Sequence, residues 1–318
     1  MGVDLGMGHH GSSATLFPMA VLSWTPELRH SLERWLQEDL GRGDLSGAAV
    51  GDGQGCAVWR AKEPGRFCGG PLAVELFRLL NPAVRVQVLM ADGEDVIPGT
   101  ELLRLHGPAA ALLAGERVAL NLAMRLSGVA TATAHLVDQL AGSGIHLVDT
   151  RKTTPGLRIL EKYAVRCGGG LNHRMGLDDA VMLKENHLAW AGGVVPALQR
   201  VRTQAPWPVA VIVEAETEAE AQAAVGAGAD GVLLDEFTPE AVAELAPKLR
   251  HTARQRGKTL VLEVSGVRPG QLRAYVSCDV DLISISAPVT RSPWLDLAMR
   301  HEGRLVRPAA GRLRTQGR

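Results

Sequence analysis

Two stretches carry the residues best suited to chemistry: Asp149-Thr150-Arg151-Lys152-Thr153-Thr154-Pro155-Gly156, and Gly168-Gly169-Gly170-Leu171-Asn172-His173-Arg174. Arg151, Lys152, His173 and Arg174 bring four groups that are cationic or can become so. Arginine offers a planar donor fork that matches a carboxylate or phosphate, and lysine offers a compact point charge. The chemistry implied is the capture of a small polyanion. A solvated basic loop is the competing reading of these residues taken alone, since charge runs usually face water.

Six apolar runs (145–148, 180–183, 209–213, 231–234, 259–262 and 282–285) must position such a site. They are hydrophobic almost without a break, as strands of a parallel sheet buried on both faces are. Each stops at, or within a residue or two of, a polar or charged group: Asp149, Lys184, Glu214, Asp235, Glu263 or Ser286. In a barrel of alternating strands and helices the active site is built at the carboxyl ends of the strands, so this recurrence predicts a ring of mixed charge. Acids there could hold a divalent ion or sugar hydroxyls. Helix-like pieces at 194–203, 216–227 and 239–256 lie between the runs, with Gly226 and Gly228 closing the second. Pro26, Pro155 and Pro239 each read as the start of a helix, where a missing N–H is tolerated.

Upstream the pattern differs. Thr25 and Pro26 open an amphipathic helix to about Leu40, broken by Gly41-Arg42-Gly43-Asp44. Short alternating segments between Gly55 and His106, such as Ala57-Val58-Trp59 and Val84 to Val88, read as strands, interrupted by one helix at about 71–80. A long Ala- and Leu-rich helix follows from about Pro108 to Leu140. A small α+β domain with a sheet covered on one face is the reading.

Of 318 residues, 46% are hydrophobic and 21% charged, which is the composition of a soluble globular protein with a sizeable core. Lys plus Arg (34) balances Asp plus Glu (34), which argues against a nucleic-acid partner. Cys56, Cys68, Cys167 and Cys278 show no CxxC pairing, so a reduced, cytoplasmic setting is expected and neither a disulfide framework nor a zinc site is suggested. No apolar run approaches membrane-spanning length, and residues 1–20 lack a signal-peptide pattern. His9-His10 beside glycines reads as incidental.

The motifs Asp149 to Arg158, Lys162-Tyr163-Ala164-Val165-Arg166-Cys167-Gly168 to Arg174, and Met182-Leu183-Lys184-Glu185-Asn186-His187 together resemble those of the quinolinate phosphoribosyltransferases. The likeness runs from Glu38 to about Arg300. It implies a small N-terminal α+β sandwich domain at 21–120 and an incomplete, six- or seven-stranded parallel α/β barrel at 121–290. A C-terminal helix is expected at 291–302, with a disordered extension at 1–20 and a disordered basic tail at 303–318. The activity implied is transfer of phosphoribosyl from phosphoribosyl pyrophosphate to quinolinate with decarboxylation, giving nicotinate mononucleotide, a step of NAD biosynthesis.

By the same resemblance Arg151, His173 and Arg174 would hold the two quinolinate carboxylates, with Lys184 near them and the donor. Lys152 would meet donor phosphate. Glu214 and Asp235 would face the ribose hydroxyls and the magnesium that accompanies the donor, and Ser265 and Gly266 would contribute to the 5-phosphate pocket. Arg117 would reach into a neighbouring subunit's site, making the enzyme a homodimer with shared active sites. Cys167 would be a bystander.

Departures from the family pattern are Ile212 where an acid is usual, Glu236 in place of Asn, and Ser286 with Pro288 in place of a Gly-Ala-Leu-type turn. Glu216 could supply the missing charge, and Ser286 bears on the donor-phosphate loop. Rival readings are a relative associated with molybdenum transport, a nicotinate-specific phosphoribosyltransferase, and a non-catalytic polyanion-binding protein. Asp149, Asn172 and the Lys184 to His187 motif favour the quinolinate enzyme over the first. Several cations suit a dicarboxylate better than a monocarboxylate, which disfavours the second.

Overall fold

The structure, a computed structural model, describes residues 20–306. The expected extension with His9-His10, and most of the expected tail, lie outside the described residues. Helix α1 (Pro26–Leu40) starts where Thr25 caps it, its hydroxyl accepting the Leu28 N–H at 3.1 Å. It buries Leu28, Leu32 and Leu36, a 4-residue spacing that puts one face against the core. Then follow β1 (Gln54–Ala61), β2 (Gly65–Arg66), α2 (Gly70–Leu80), β3 (Arg85–Val88), β4 (Asp95–Val96), β5 (Glu101–Pro108) and the long α3 (Ala109–Val137).

The barrel half contains β6 (His146–Val148), α4 (Arg158–Cys167), β7 (Val181–Leu183), α5 (Glu185–Ala191), α6 (Val194–Arg202), β8 (Val211–Ala215), α7 (Glu218–Gly226), β9 (Gly231–Asp235), α8 (Pro239–Gln255), β10 (Val261–Ser265), β11 (Leu282–Ser284) and α9 (Ala287–Thr290). Its six strands pair in parallel in the order β6-β11-β10-β9-β8-β7. Near the two end strands a single parallel bridge joins Val148 to Leu171. The sheet therefore curls as an incomplete barrel of six strands.

The expected C-terminal helix is a strand. Residues 297–306 form β12, which runs antiparallel to β1 in a four-stranded sheet ordered β12-β1-β5-β3. The reason is visible in burial: Leu295, Leu297 and Met299 are inside while Arg300 is out, a period of two that no helix satisfies. Residues 303–306, assigned to the tail by sequence, belong to this strand as well. A second correction concerns Pro155, which lies in the turn before α4 and not in its first helical position, since α4 begins at Arg158.

Two apolar cores result. One joins α1, α2, the four-stranded sheet and α3, and it also takes in Leu160, Tyr163, Ala164 and Cys167 of α4. The other fills the layer between the six-stranded sheet and its helices. Helix α4 thus packs on the N-terminal core while ending at the site loop. Gly168, just beyond α4, permits this approach: a Cβ there would stand 2.6 Å from the Ala130 carbonyl oxygen and 2.5 Å from Thr133 Cβ. The scattered cysteines also meet at this seam. Cys68 and Cys167 lie with Asp92 so that their ligand atoms are within 4.8 Å of one another. The Asp92 carboxylate already accepts the Gly69 and Gly70 N–H groups and the Tyr163 hydroxyl, each at 2.9 Å, so it works as a clamp between the halves.

Candidate active site

Strand register puts inward-facing residues in layers. Ile212, Gly231 and Val261 are one layer; Glu214, Leu233, Glu263 and Leu282 the next; Asp235 and Ser265 the one at the carboxyl end. Above them opens a cavity of about 340 Å³ whose lining includes Arg151, Lys152, His173, Arg174, Lys184, Glu214, Ser265, Gly266 and Ser286. Sequence reasoning therefore brought nine site residues to one place. Asp235 is not on the lining itself; it accepts a hydrogen bond from the Ser265 hydroxyl, which is. Arg117 is elsewhere, exposed on α3 beside Glu116 at 3.8 Å. Glu216, offered as a replacement acid, stands outside at the start of the α7 turn, where its N–H binds Glu220. Ile212 sits one layer below Glu214.

Arg268, after β10, and Arg291, after α9, also line the cavity and were missed. Each is a single arginine in a loop, and the only sequence signal was its closeness to a strand end. Among the described residues the side chains of Arg151, Lys152, Arg268 and Arg291 have no hydrogen-bonded or ion-paired partner. Arg174 donates to the Ala180 carbonyl at 2.7 Å, and its pKa is lowered by burial first and by the neighbouring Arg151 second. Like charges held this close want an anion between them.

The buried pair beneath explains why the two motifs converge. Lys162 of α4 and Asp149 at the end of β6 are both 1% exposed and form an ion pair. Asp149 also accepts the His173 N–H at 2.8 Å and the Asn172 amide at 2.6 Å, while Lys162 donates to the His173 carbonyl at 2.9 Å. Burial pushes the Asp149 carboxyl up and the Lys162 ammonium down, and their attraction opposes both shifts. The motif Asn172-His173-Arg174 is thereby pinned against the strand that carries Arg151. His173 is itself engaged at both ring nitrogens. Nδ1 accepts the Arg174 N–H at 2.7 Å, which places the ring proton on Nε2, 3.2 Å from Glu263 Oε2.

On the opposite wall Lys184 is ion-paired with Glu214. Burial raises the Glu214 pKa most, Lys184 lowers it, and Asp235 raises it again, so the two carboxylates feel each other. Close by, Gly266 adopts φ +77°, and a Cβ there would come within 2.8 Å of Glu236 Cγ. Only glycine lets these two strand-end loops touch. Glu236 is the one non-glycine residue with positive φ (59°) among those described, a conformation that asparagine tolerates better.

The comparisons agree with this architecture. The quinolinate phosphoribosyl transferase C-terminal domain family matches residues 129–300, and the N-terminal domain family matches residues 44–127. The chain is 47% identical over 271 residues to a probable nicotinate-nucleotide pyrophosphorylase (carboxylating) of Synechocystis sp., covering 85% of this chain and 90% of the relative. It is 36% identical over 279 residues to the human nicotinate-nucleotide pyrophosphorylase (carboxylating), covering 87% and 92%. The crystal structure of NadC from Streptococcus pyogenes superposes with a TM-score of 0.81 at 36% identity, covering 87% of this chain and 97% of that one. Family models matching both halves, residues 44–127 and 129–300, together with these relatives, show that this chain, with its cation-lined cavity at the carboxyl ends of six parallel strands, belongs to the quinolinate phosphoribosyl transferase family.

Proposed function

We propose that this protein transfers 5-phosphoribosyl from phosphoribosyl pyrophosphate to the ring nitrogen of quinolinate, with loss of the 2-carboxylate as carbon dioxide, giving nicotinate mononucleotide and pyrophosphate. One observation carries the reading: four cations without a protein anion share a single cavity with a carboxylate wall. A dicarboxylate and a polyphosphate together need more positive charge than either does alone, and the ribose between them needs acceptors.

In this reading Arg151 and Arg174 grip the quinolinate carboxylates, and His173, fixed by Arg174 and Glu263, forms the wall against the ring. Lys152, with Arg268 and Arg291, meets donor phosphates. Ser265, Gly266 and Ser286 face the 5-phosphate, and Lys184 bridges the two substrates while restraining Glu214. Breaking the anomeric bond develops positive charge on the ribose and negative charge on the leaving group, so preorganised charges of both signs lower the barrier. Once alkylated, the ring nitrogen is cationic and can hold the electron pair left when the adjacent carboxylate departs. Orientation and exclusion of water do the rest.

Glu214 and Asp235 are a hard-oxygen pair of the kind that holds Mg²⁺ together with substrate phosphates. Bound there, the ion would neutralise charge on the departing pyrophosphate. The reading includes a homodimer in which Arg117, exposed and outside its own cavity, completes the partner's site. It also includes a reducing cytoplasmic setting, which suits four free thiols. Among the described residues no helix is long and apolar enough to cross a membrane.

The test is purified protein with quinolinate, phosphoribosyl pyrophosphate and Mg²⁺, followed for nicotinate mononucleotide and carbon dioxide. Formation of both is expected. Failure to form them, or equal use of nicotinate, overturns the reading.

A further inference from the structure

Glu263 is 3% exposed, and only one of its carboxylate oxygens has a partner. Oε2 faces His173 Nε2, whereas Oε1 has no hydrogen-bond donor among the described residues. A buried carboxylate oxygen without a donor is costly, so its surroundings matter. It stands in the middle layer of the barrel, at the junction of two cavities. Above is the substrate cavity; below, the lower half of the barrel holds a second cavity of about 300 Å³, lined by Ile212, Gly231, Val261 and Leu282 among others. His173, Arg174 and Glu263 line both.

Closed barrels fill this space with layered side chains. Here Gly231 contributes none, and Val261 at the lower end is 43% exposed, so the lower cavity reaches solvent. At about 30 Å³ per molecule it has room for several waters.

We propose that Glu263 is a positioning residue for the proton that replaces the lost carboxylate. Its Oε1 holds a water supplied from the lower cavity, and that water protonates the ring carbon. The inference rests on the reading under Proposed function. In the step, the bond from C2 to the carboxylate carbon breaks and its electron pair stays on C2 beside the cationic nitrogen. One O–H bond of the water then breaks, its proton forms the new C2–H bond, and hydroxide remains to be neutralised by solvent through the lower cavity. The water's second O–H points to Glu263 Oε1, which fixes its direction. With both substrates occupying the upper cavity, the barrel interior is the approach that stays open.

Glu263→Gln tests this, because the amide keeps the shape and its oxygen still accepts from His173, while a donor NH₂ replaces the acceptor Oε1. Quinolinate affinity, measured by calorimetry without the donor, and KM should stay within about twofold, while kcat falls about tenfold or more and its solvent deuterium isotope effect grows. Val261→Phe, which narrows the lower opening without touching the substrate cavity, should shift kcat and the isotope effect in the same direction. Unchanged kcat and isotope effect in Glu263→Gln overturn the inference while wild-type product formation leaves the proposed function standing. Loss of quinolinate binding in proportion to kcat also overturns it, since Glu263 would then only brace His173. A wild type that makes no nicotinate mononucleotide brings down both.

Discussion

Glu161 accepts both the backbone N–H and the hydroxyl of Thr154, each at 2.8 Å, and so ties helix α4 to the loop that carries Arg151 and Lys152. Glu161 is fully buried and is matched by Arg125 of α3 at 2.7 Å, which in turn donates to the Val289 carbonyl and, at 3.1 Å, to Ser292. One carboxylate therefore couples the N-terminal core, the cation loop and the segment leading to Arg291. Thr154→Val removes one of these bonds and should cost about 1.5–3 kcal/mol of stability, the range for a hydrogen bond to a charged group. KM for phosphoribosyl pyrophosphate should rise more than KM for quinolinate, because Lys152 is the nearer cation. Glu161→Ala leaves Arg125 unpaired in the interior and should cost about 3–5 kcal/mol. Denaturant titration and steady-state kinetics give both numbers.

How far the sequence disclosed this arrangement depends on the range of the interaction. Each barrel strand announced itself by an apolar run ending on a polar residue, because both its faces are buried and its end meets the site. Strand β12 did not, because its stability comes from pairing with β1, more than 230 residues earlier (Ala57 with His301, for instance), and nothing local records that partner. The alternation of Leu295, Leu297 and Met299 was its only mark. Arg151, Lys152, His173 and Arg174 stood out because they cluster. Arg268 and Arg291 are single residues brought in by topology, and Glu263, visible as a strand-end acid, revealed its position between two cavities only through register.

Glu236 carries the backbone strain of the site. At φ 59° a glutamate pays for a left-handed conformation, and its N–H still reaches the Ser265 carbonyl at 3.2 Å, so the loop cannot simply relax. Glu236→Asn should raise stability by up to about 1 kcal/mol, since asparagine adopts this conformation more readily. Gly266→Ala, which drives a Cβ against Glu236, should instead destabilise the protein and weaken donor binding. Opposite shifts in melting temperature for these two neighbours check the argument; equal signs would refute it.

Removing Lys184 tests the electrostatics of the opposite wall. Burial already holds the Glu214 carboxyl above the ordinary carboxylate range, and the Lys184 ion pair is the chief influence keeping it down. Lys184→Met should raise it further. In the proposed reading Glu214 works ionised, against a cation and the ribose hydroxyls, so the acid limb of the kcat/KM profile should move to higher pH in the variant. Stability follows the same sign: a carboxyl whose folded pKa exceeds its unfolded value contributes stability below the unfolded pKa and loses it as pH rises through the folded one. Lys184→Met should therefore lose more stability at mildly alkaline than at acidic pH. An acid limb that stays in place or moves down would show that Lys184 does not govern Glu214.

Arg117 decides whether one chain suffices. It lies on the exposed face of α3, outside the cavity that holds Arg151 and Arg174, so within a single chain its loss should leave substrate binding intact. In the proposed dimer it contributes to the partner's cavity. Arg117→Ala and Arg174→Ala would then each inactivate, by different routes, every site of their own homodimer. A mixed dimer carries one site lacking both side chains and one site with both native. Random mixing gives half of the dimers this mixed form, so about a quarter of all sites should be restored. Activity regained on co-refolding, near that fraction and absent from either variant alone, is the expected result. Mixed dimers demonstrated by mass spectrometry with no regained activity would place Arg117 outside the catalytic arrangement and leave each chain to act on its own.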